Sequence, residues 1–166
     1  MRIRQYLMQF LFFYLKTRIK NYLIFVTMSR IMAIDYGTKR MGIAVTDNLQ
    51  IIATPLTTIH PKNALDFFKT YFQEERVETI VFGEPKQEDG TASDSAVPLK
   101  AFINLFKKHF PNIPVEMMDE RFTSRMAFKT MIDAGLNKKQ RSDKSLVDRT
   151  AAVIILQGYM LKKELR

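Results

Sequence analysis

The sequence predicts an α/β domain built on a five-stranded mixed sheet, with a three-strand antiparallel meander, two parallel strands and helices on both faces. Three observations predict it. Three strand-length apolar runs follow one another between residues 31 and 58 with no helix between them, the pattern of a meander. Helical and strand-like stretches then alternate to residue 118, as parallel strands joined by crossovers require. A final helix, Leu146 to Leu161, is apolar nearly all round and must be buried against the sheet.

The first strand, Ile31 to Ile34, is apolar at consecutive positions, as expected when both faces are covered. Gly37 lets the chain turn sharply, and Gly42 to Val45 begins a second strand, so the segment reads as a β-hairpin. Its loop carries Asp35, Thr38, Lys39 and Arg40, one acid beside a hydroxyl and two cations. Ile51 to Thr58 is the third strand. His60-Pro61-Lys62-Asn63 then breaks the pattern and caps a helix running to Glu75, with Leu65, Phe68 and Phe72 on its apolar face.

Val77 to Gly83 is the fourth strand, followed by a polar loop, Glu84 to Ser93, of the kind that reaches over a site. A helix from Asp94 to Phe110 comes next. Pro111 and Pro114 then bracket the approach to a fifth strand, Val115 to Met118, which ends in Asp119-Glu120-Arg121. Thr123 or Ser124 caps a third helix that stops at Gly135. Leu136 to Lys144 reads as a mobile basic loop. Right-handed crossovers place the fourth strand beside the first and the fifth beyond it.

Composition narrows the chemistry. The 166 residues suit one domain. With no cysteine and two histidines, disulfides and thiolate zinc sites are excluded, and any metal must be held by oxygen. The net charge of +9 favours a polyanionic partner. Arg2, Arg4, Lys16, Arg18 and Lys20 lie before residue 28 with no acid among them. The apolar run there, Tyr6 to Leu15, is broken by Gln9 and is too short for a spanning helix of ~20 residues. The sequence after it has no small-residue cleavage pattern. The expectation is therefore a basic apolar extension at 1–27, outside the fold, with translation starting at Met28 and a single domain at 28–166. No stable membrane association is expected on that reading, a basic amphipathic membrane anchor at 1–27 being the alternative.

In such a sheet the parallel strands end on one side, so Asp35, Glu84 and Glu120 point toward one crevice. Asp148 lies in the first turn of the last helix, and small Ala151 and Ala152 let that helix approach the sheet closely. Taken singly, each acid has an ordinary explanation as a helix-terminal charge, a loop residue or half of a surface ion pair. Together they form an oxygen-lined site suited to Mg²⁺ or Mn²⁺. Two ions about 3.5–4 Å apart would serve phosphodiester hydrolysis with no side-chain nucleophile. Thr38, Lys39, Arg40, Arg121 and the basic residues Lys138, Lys139, Arg141 and Lys144 are placed to grip flanking phosphates.

Four markers in order resemble the YqgF family, also called RuvX or the Holliday junction resolvase-like family, of the RNase H-like superfamily. They are Asp35-Tyr36-Gly37-Thr38-Lys39-Arg40-Met41-Gly42-Ile43-Ala44, Val81-Phe82-Gly83-Glu84-Pro85, Asp119-Glu120-Arg121-Phe122-Thr123-Ser124, and Asp148 followed by Ala151-Ala152. The resemblance runs from Met28 to Leu165. It implies an RNase H-like fold, a divalent-metal nuclease, and a cytoplasmic role in maturing the 5′ end of 16S ribosomal RNA, with Asp35, Glu120 and Asp148 as catalytic acids and metal ligands. The family's older naming implies cleavage of four-way DNA junctions. Glu84 departs from the family pattern, which has an apolar residue there, and matches the second acid of related resolvases; it is kept as a further candidate.

Two other readings compete. An actin-like or sugar-kinase fold also uses an Asp-x-Gly-Thr hairpin but needs a second related domain, for which the chain has no room. A non-catalytic nucleic-acid-binding module is the other, and cleavage discriminates it. These residues do not choose between structured RNA, including ribosomal particles, and branched DNA. Nor do they choose between a monomer and a homodimer.

Overall fold

The computed structural model describes residues 29–84, 96–119 and 129–165. Its five strands are β1 (Arg30–Tyr36), β2 (Met41–Thr46), β3 (Ala53–Ile59), β4 (Val77–Glu84) and β5 (Val115–Asp119). They form one sheet in the order β3-β2-β1-β4-β5. β1 pairs antiparallel with β2, and β2 with β3; β1 with β4 and β4 with β5 are parallel. This is the predicted meander and the predicted crossover order. Besides a helical stretch at 129–133, the described helices are α1 (Ala64–Glu74), α2 (Ala96–His109), α3 (Lys138–Arg141) and α4 (Lys144–Glu164). A 3₁₀ turn, Pro61–Asn63, leads into α1.

Period-two alternation sorts the central strands between two cores. Met32, Ile34, Met41, Ile43, Val45, Ile80 and Phe82 pack against Phe68 of α1 and Leu99, Phe102 and Phe106 of α2. The Phe68 and Phe106 rings meet edge to face, 5.4 Å between centroids, a favoured aromatic geometry. On the other face Ile31, Ala33, Ala44 and Val81 pack against Ala152, Ile155, Leu156 and Tyr159 of α4. The α4 face is floored by small residues, and it is the face to which Asp35 belongs by parity with Ile31 and Ala33.

Three expectations are corrected. β3 starts at Ala53, not Ile51, because the Asp47 carboxylate accepts backbone N–H bonds from Leu49, Ile51 and Ile52 at 3.2, 2.7 and 2.7 Å. These residues close the β2–β3 turn and leave nothing for a ladder. The segment Leu136 to Lys144 is not simply a loop. Asn137 and Gln140 form a reciprocal capping box, each side chain bonding the other's backbone N–H at 2.9 Å, and Lys138–Arg141 make one helical turn. Finally, α4 begins at Lys144 with Asp143 as its N-cap, the Asp143 carboxylate accepting from Ser145 N at 2.9 Å. Asp148 therefore lies just beyond the first turn.

The expected helix stop at Gly135 is present. Residues 129–133 are helical, Gly135 has φ +76°, and Leu136 N and Gly135 N donate to Met131 O and Ile132 O, closing the helix in a Schellman motif. The expected loop 85–93 and the cap at Thr123 or Ser124 lie outside the described residues. Both ends of α4 are tied to the sheet. Thr58 Oγ1 donates to Ser145 O at 2.9 Å, and at the far end Lys163 Nζ reaches Glu78 at 2.8 Å and Gln50 at 2.9 Å.

Candidate active site

Asp35 is the penultimate residue of β1, directly across the ladder from Gly42 of β2. That pairing decides how close α4 can come. A methyl group added at Gly42 would overlap the backbone carbonyl of Asp148 and lie 3.0 Å from Arg149 N, so only glycine leaves room for the helix. The β1–β2 turn is equally tight: Gly37 N donates to Arg40 O at 2.9 Å, and a Cβ on Gly37 would sit 2.8 Å from that oxygen. Asp35, Gly37, Thr38, Lys39, Arg40, Lys144 and Asp148 line one open cleft of about 350 Å³.

Asp35 keeps a narrow opening to this cleft but is otherwise enclosed by protein. Burial, and secondarily the nearby charge of Asp148, push its carboxyl up to about 7. Asp148 is paired with Arg40, whose Nε donates to Asp148 Oδ2 at 2.6 Å. Arg40, one of the residues expected to grip phosphate, offsets this acid here. Two carboxylates facing one cleft, with the buried one resisting ionisation, are the donor chemistry of a hard divalent cation, which would favour the charged form of both. Among the described residues no group of three or more His, Cys, Asp or Glu is arranged to hold a metal ion.

The other predicted residues divide as follows. Thr38, Lys39 and Lys144 line the cleft with the two acids. Lys138 and Lys139 are exposed on α3 and Arg141 is half-buried there, none of them among the cleft-lining side chains. Glu84 ends β4 with the parity of Ile80 and Phe82, whose side chains face α1 and α2, so alternation turns it away from the face of Asp35. The residue of β4 that shares the Asp35 face is Gly83. Glu120 and Arg121 lie outside the described residues. Sequence reasoning credited Ala151 and Ala152 with the close approach of α4 and missed Gly42. The signal was there: Gly42 and Ala44 alternate as small residues within an otherwise bulky strand.

A five-stranded sheet in this order, carrying a buried acid at the end of its central strand against a C-terminal helix, defines an RNase H-like α/β protein. The same fold is seen in the crystal structure of the yeast mitochondrial Holliday junction resolvase Ydc2. That structure superposes with a TM-score of 0.52 at 14% identity, over 80% of this chain and 78% of that one. The chain belongs to the RuvX family, whose model, described as Holliday junction resolvase, matches residues 29–162. It is 53% identical over 136 residues to a Flavobacterium psychrophilum protein named "Putative pre-16S rRNA nuclease", covering 82% of this chain and 99% of that one. A Bacteroides fragilis protein of the same name is 51% identical over 138 residues, covering 83% of this chain and all of its own. Among the described residues no helix is long and apolar enough to cross a membrane.

Proposed function

We propose that this chain is a divalent-cation-dependent nuclease that processes the 5′ end of precursor 16S ribosomal RNA during ribosome biogenesis in the cytoplasm. Residues 28–166 form its single working domain. One observation carries the reading: Asp35 and Asp148, from opposite ends of the fold, meet in a cleft whose remaining side chains are a hydroxyl and three cations. The names of relatives about half identical over nearly their whole length supply the RNA substrate.

Asp35 and Asp148 would hold Mg²⁺ or Mn²⁺, with Glu120 as the third carboxylate. Glu120 lies outside the described residues and enters as the third acid that the family resemblance implies. A bound cation, or a pair of them, supplies positive charge that activates water and stabilises the leaving oxygen. The protein's own groups do the positioning. Lys39 and Lys144 are mobile point charges suited to a non-bridging phosphate oxygen, and the Thr38 hydroxyl can donate to another. Lys138, Lys139, Arg141 and Arg121 would extend the phosphate-binding track beyond the cleft. They would act on the backbone of structured RNA rather than on its bases.

The test is cleavage of a 5′-extended 16S precursor fragment and of a synthetic four-way DNA junction, each with Mn²⁺, Mg²⁺ or EDTA. Metal-dependent cutting of the RNA, lost in Asp35→Asn and Asp148→Asn with the fold intact, is the expected result. Glu120→Gln should also lose it and Glu84→Gln should keep it. Preference for the junction, the substrate in the family's description, would favour a resolvase. Binding of both without cutting would leave a non-catalytic module.

A further inference from the structure

Of the three cations in the cleft, Arg40 is the one whose position a phosphate-binding role does not explain. Its backbone is fixed by the Gly37–Arg40 turn, yet its side chain crosses to α4 and spends Nε on Asp148, 108 residues away in sequence. The guanidinium side chain is 41% exposed, so it has room to leave, whereas Asp148 is 20% exposed and stays at the cleft wall. The pairing is also incomplete. Arg40 pairs with Asp148 alone, although Asp35 lines the same cleft. A divalent cation shared by both acids would satisfy what a monovalent guanidinium on one of them does not.

We infer that Arg40 is a latch: without a cation it occupies the carboxylate face of Asp148, and once displaced it turns its guanidinium to a substrate phosphate beside Thr38, Lys39 and Lys144. This rests on the reading of Asp148 as a cation ligand. Cation and phosphate each stabilise the state in which Arg40 has left Asp148, so by linkage each tightens the binding of the other. A planar fork suits both partners, carboxylate and phosphate, which a lysine at this position would serve less well.

The experiment is Mn²⁺ binding to the full chain without nucleic acid, followed by the electron paramagnetic resonance signal of free Mn²⁺. Arg40→Gln removes one positive charge and the latch; Lys144→Gln removes one positive charge from the same cleft and leaves the latch. Arg40→Gln is expected to bind Mn²⁺ about tenfold more tightly than Lys144→Gln, a typical size for coupling between two ligands. Arg40→Lys, which keeps the charge and loses Nε, should also bind more tightly than wild type, and it serves as the reading if Arg40→Gln does not fold. Equal gains in Arg40→Gln and Lys144→Gln would reduce the effect to general electrostatics and overturn the latch. Weaker binding by Arg40→Gln would overturn it as well, making Arg40 a support for Asp148. Failure of wild-type protein and every variant to bind Mn²⁺ would instead overturn the cation site itself.

Discussion

At the scale of the residue, Asp35 couples the site to pH. Its carboxyl titrates at about 7 in the folded protein, raised by burial and by Asp148, whereas an aspartate in an unfolded chain ionises near 4. Between those values the folded form holds a proton that the unfolded form has lost. In EDTA, this group's contribution should therefore fall as pH rises from about 4 to about 7 and level off above, by at most about 4 kcal/mol. Asp35→Asn should lack that decline and be the more stable protein at pH 8, a difference that urea unfolding at pH 5 and pH 8 measures directly. A wild-type curve parallel to that of the variant would refute the burial argument. Much of this was legible: an acid ending an apolar strand and an acid near the start of an apolar helix are visible in sequence. The ion pair of Asp148 with Arg40 was not, because a cation in a turn next to an acid gives no sign of which distant side chain it will reach.

At the scale of the element, α4 makes the site, and two glycines at its contacts should respond in opposite senses. Gly42→Ala drives a methyl into the backbone of Asp148, which has no rotamer with which to yield. A loss of about 1–3 kcal/mol is expected in denaturant unfolding, together with lost cleavage, as the helix is pushed from Asp35. Gly158→Ala places its Cβ 2.9 Å from the terminal methyl of Met118, the free end of a flexible side chain. Helix propensity should dominate there, leaving the protein unchanged to about 1 kcal/mol more stable. Periodicity located every described strand and the helices α1, α2 and α4, because burial imposes it. Boundaries failed where local polar bonding overruled hydrophobicity: Asp47 claimed Ile51 and Ile52 for a turn, and Asn137 with Gln140 folded a basic stretch into a helical turn.

At the scale of the whole molecule, the sheet order followed from connection rules alone, since a meander and two crossovers allow few arrangements. The face of Glu84 was harder to read, because it depends on the register of β4 against β1 to a single residue. The family match covers residues 29–162, and the F. psychrophilum relative is matched over 99% of its length by 82% of this chain. A chain beginning at Met28 is accordingly expected to unfold at the same denaturant midpoint and to cleave with the same metal dependence. Its binding to polyanions should be less salt-sensitive, for want of the five cations before residue 28. A shifted midpoint would show that 1–27 belongs to the fold. The placement of Asp148 in the last helix bears on synthesis as well as on catalysis. A nascent polypeptide that has folded β1 to β5 but not yet delivered α4 owns Asp35 without its partner and has no cleft to close on a substrate. On the proposed reading the cleft shared by Asp35 and Asp148 comes into being only once α4 has been made, so β1 to β5 alone should not cut.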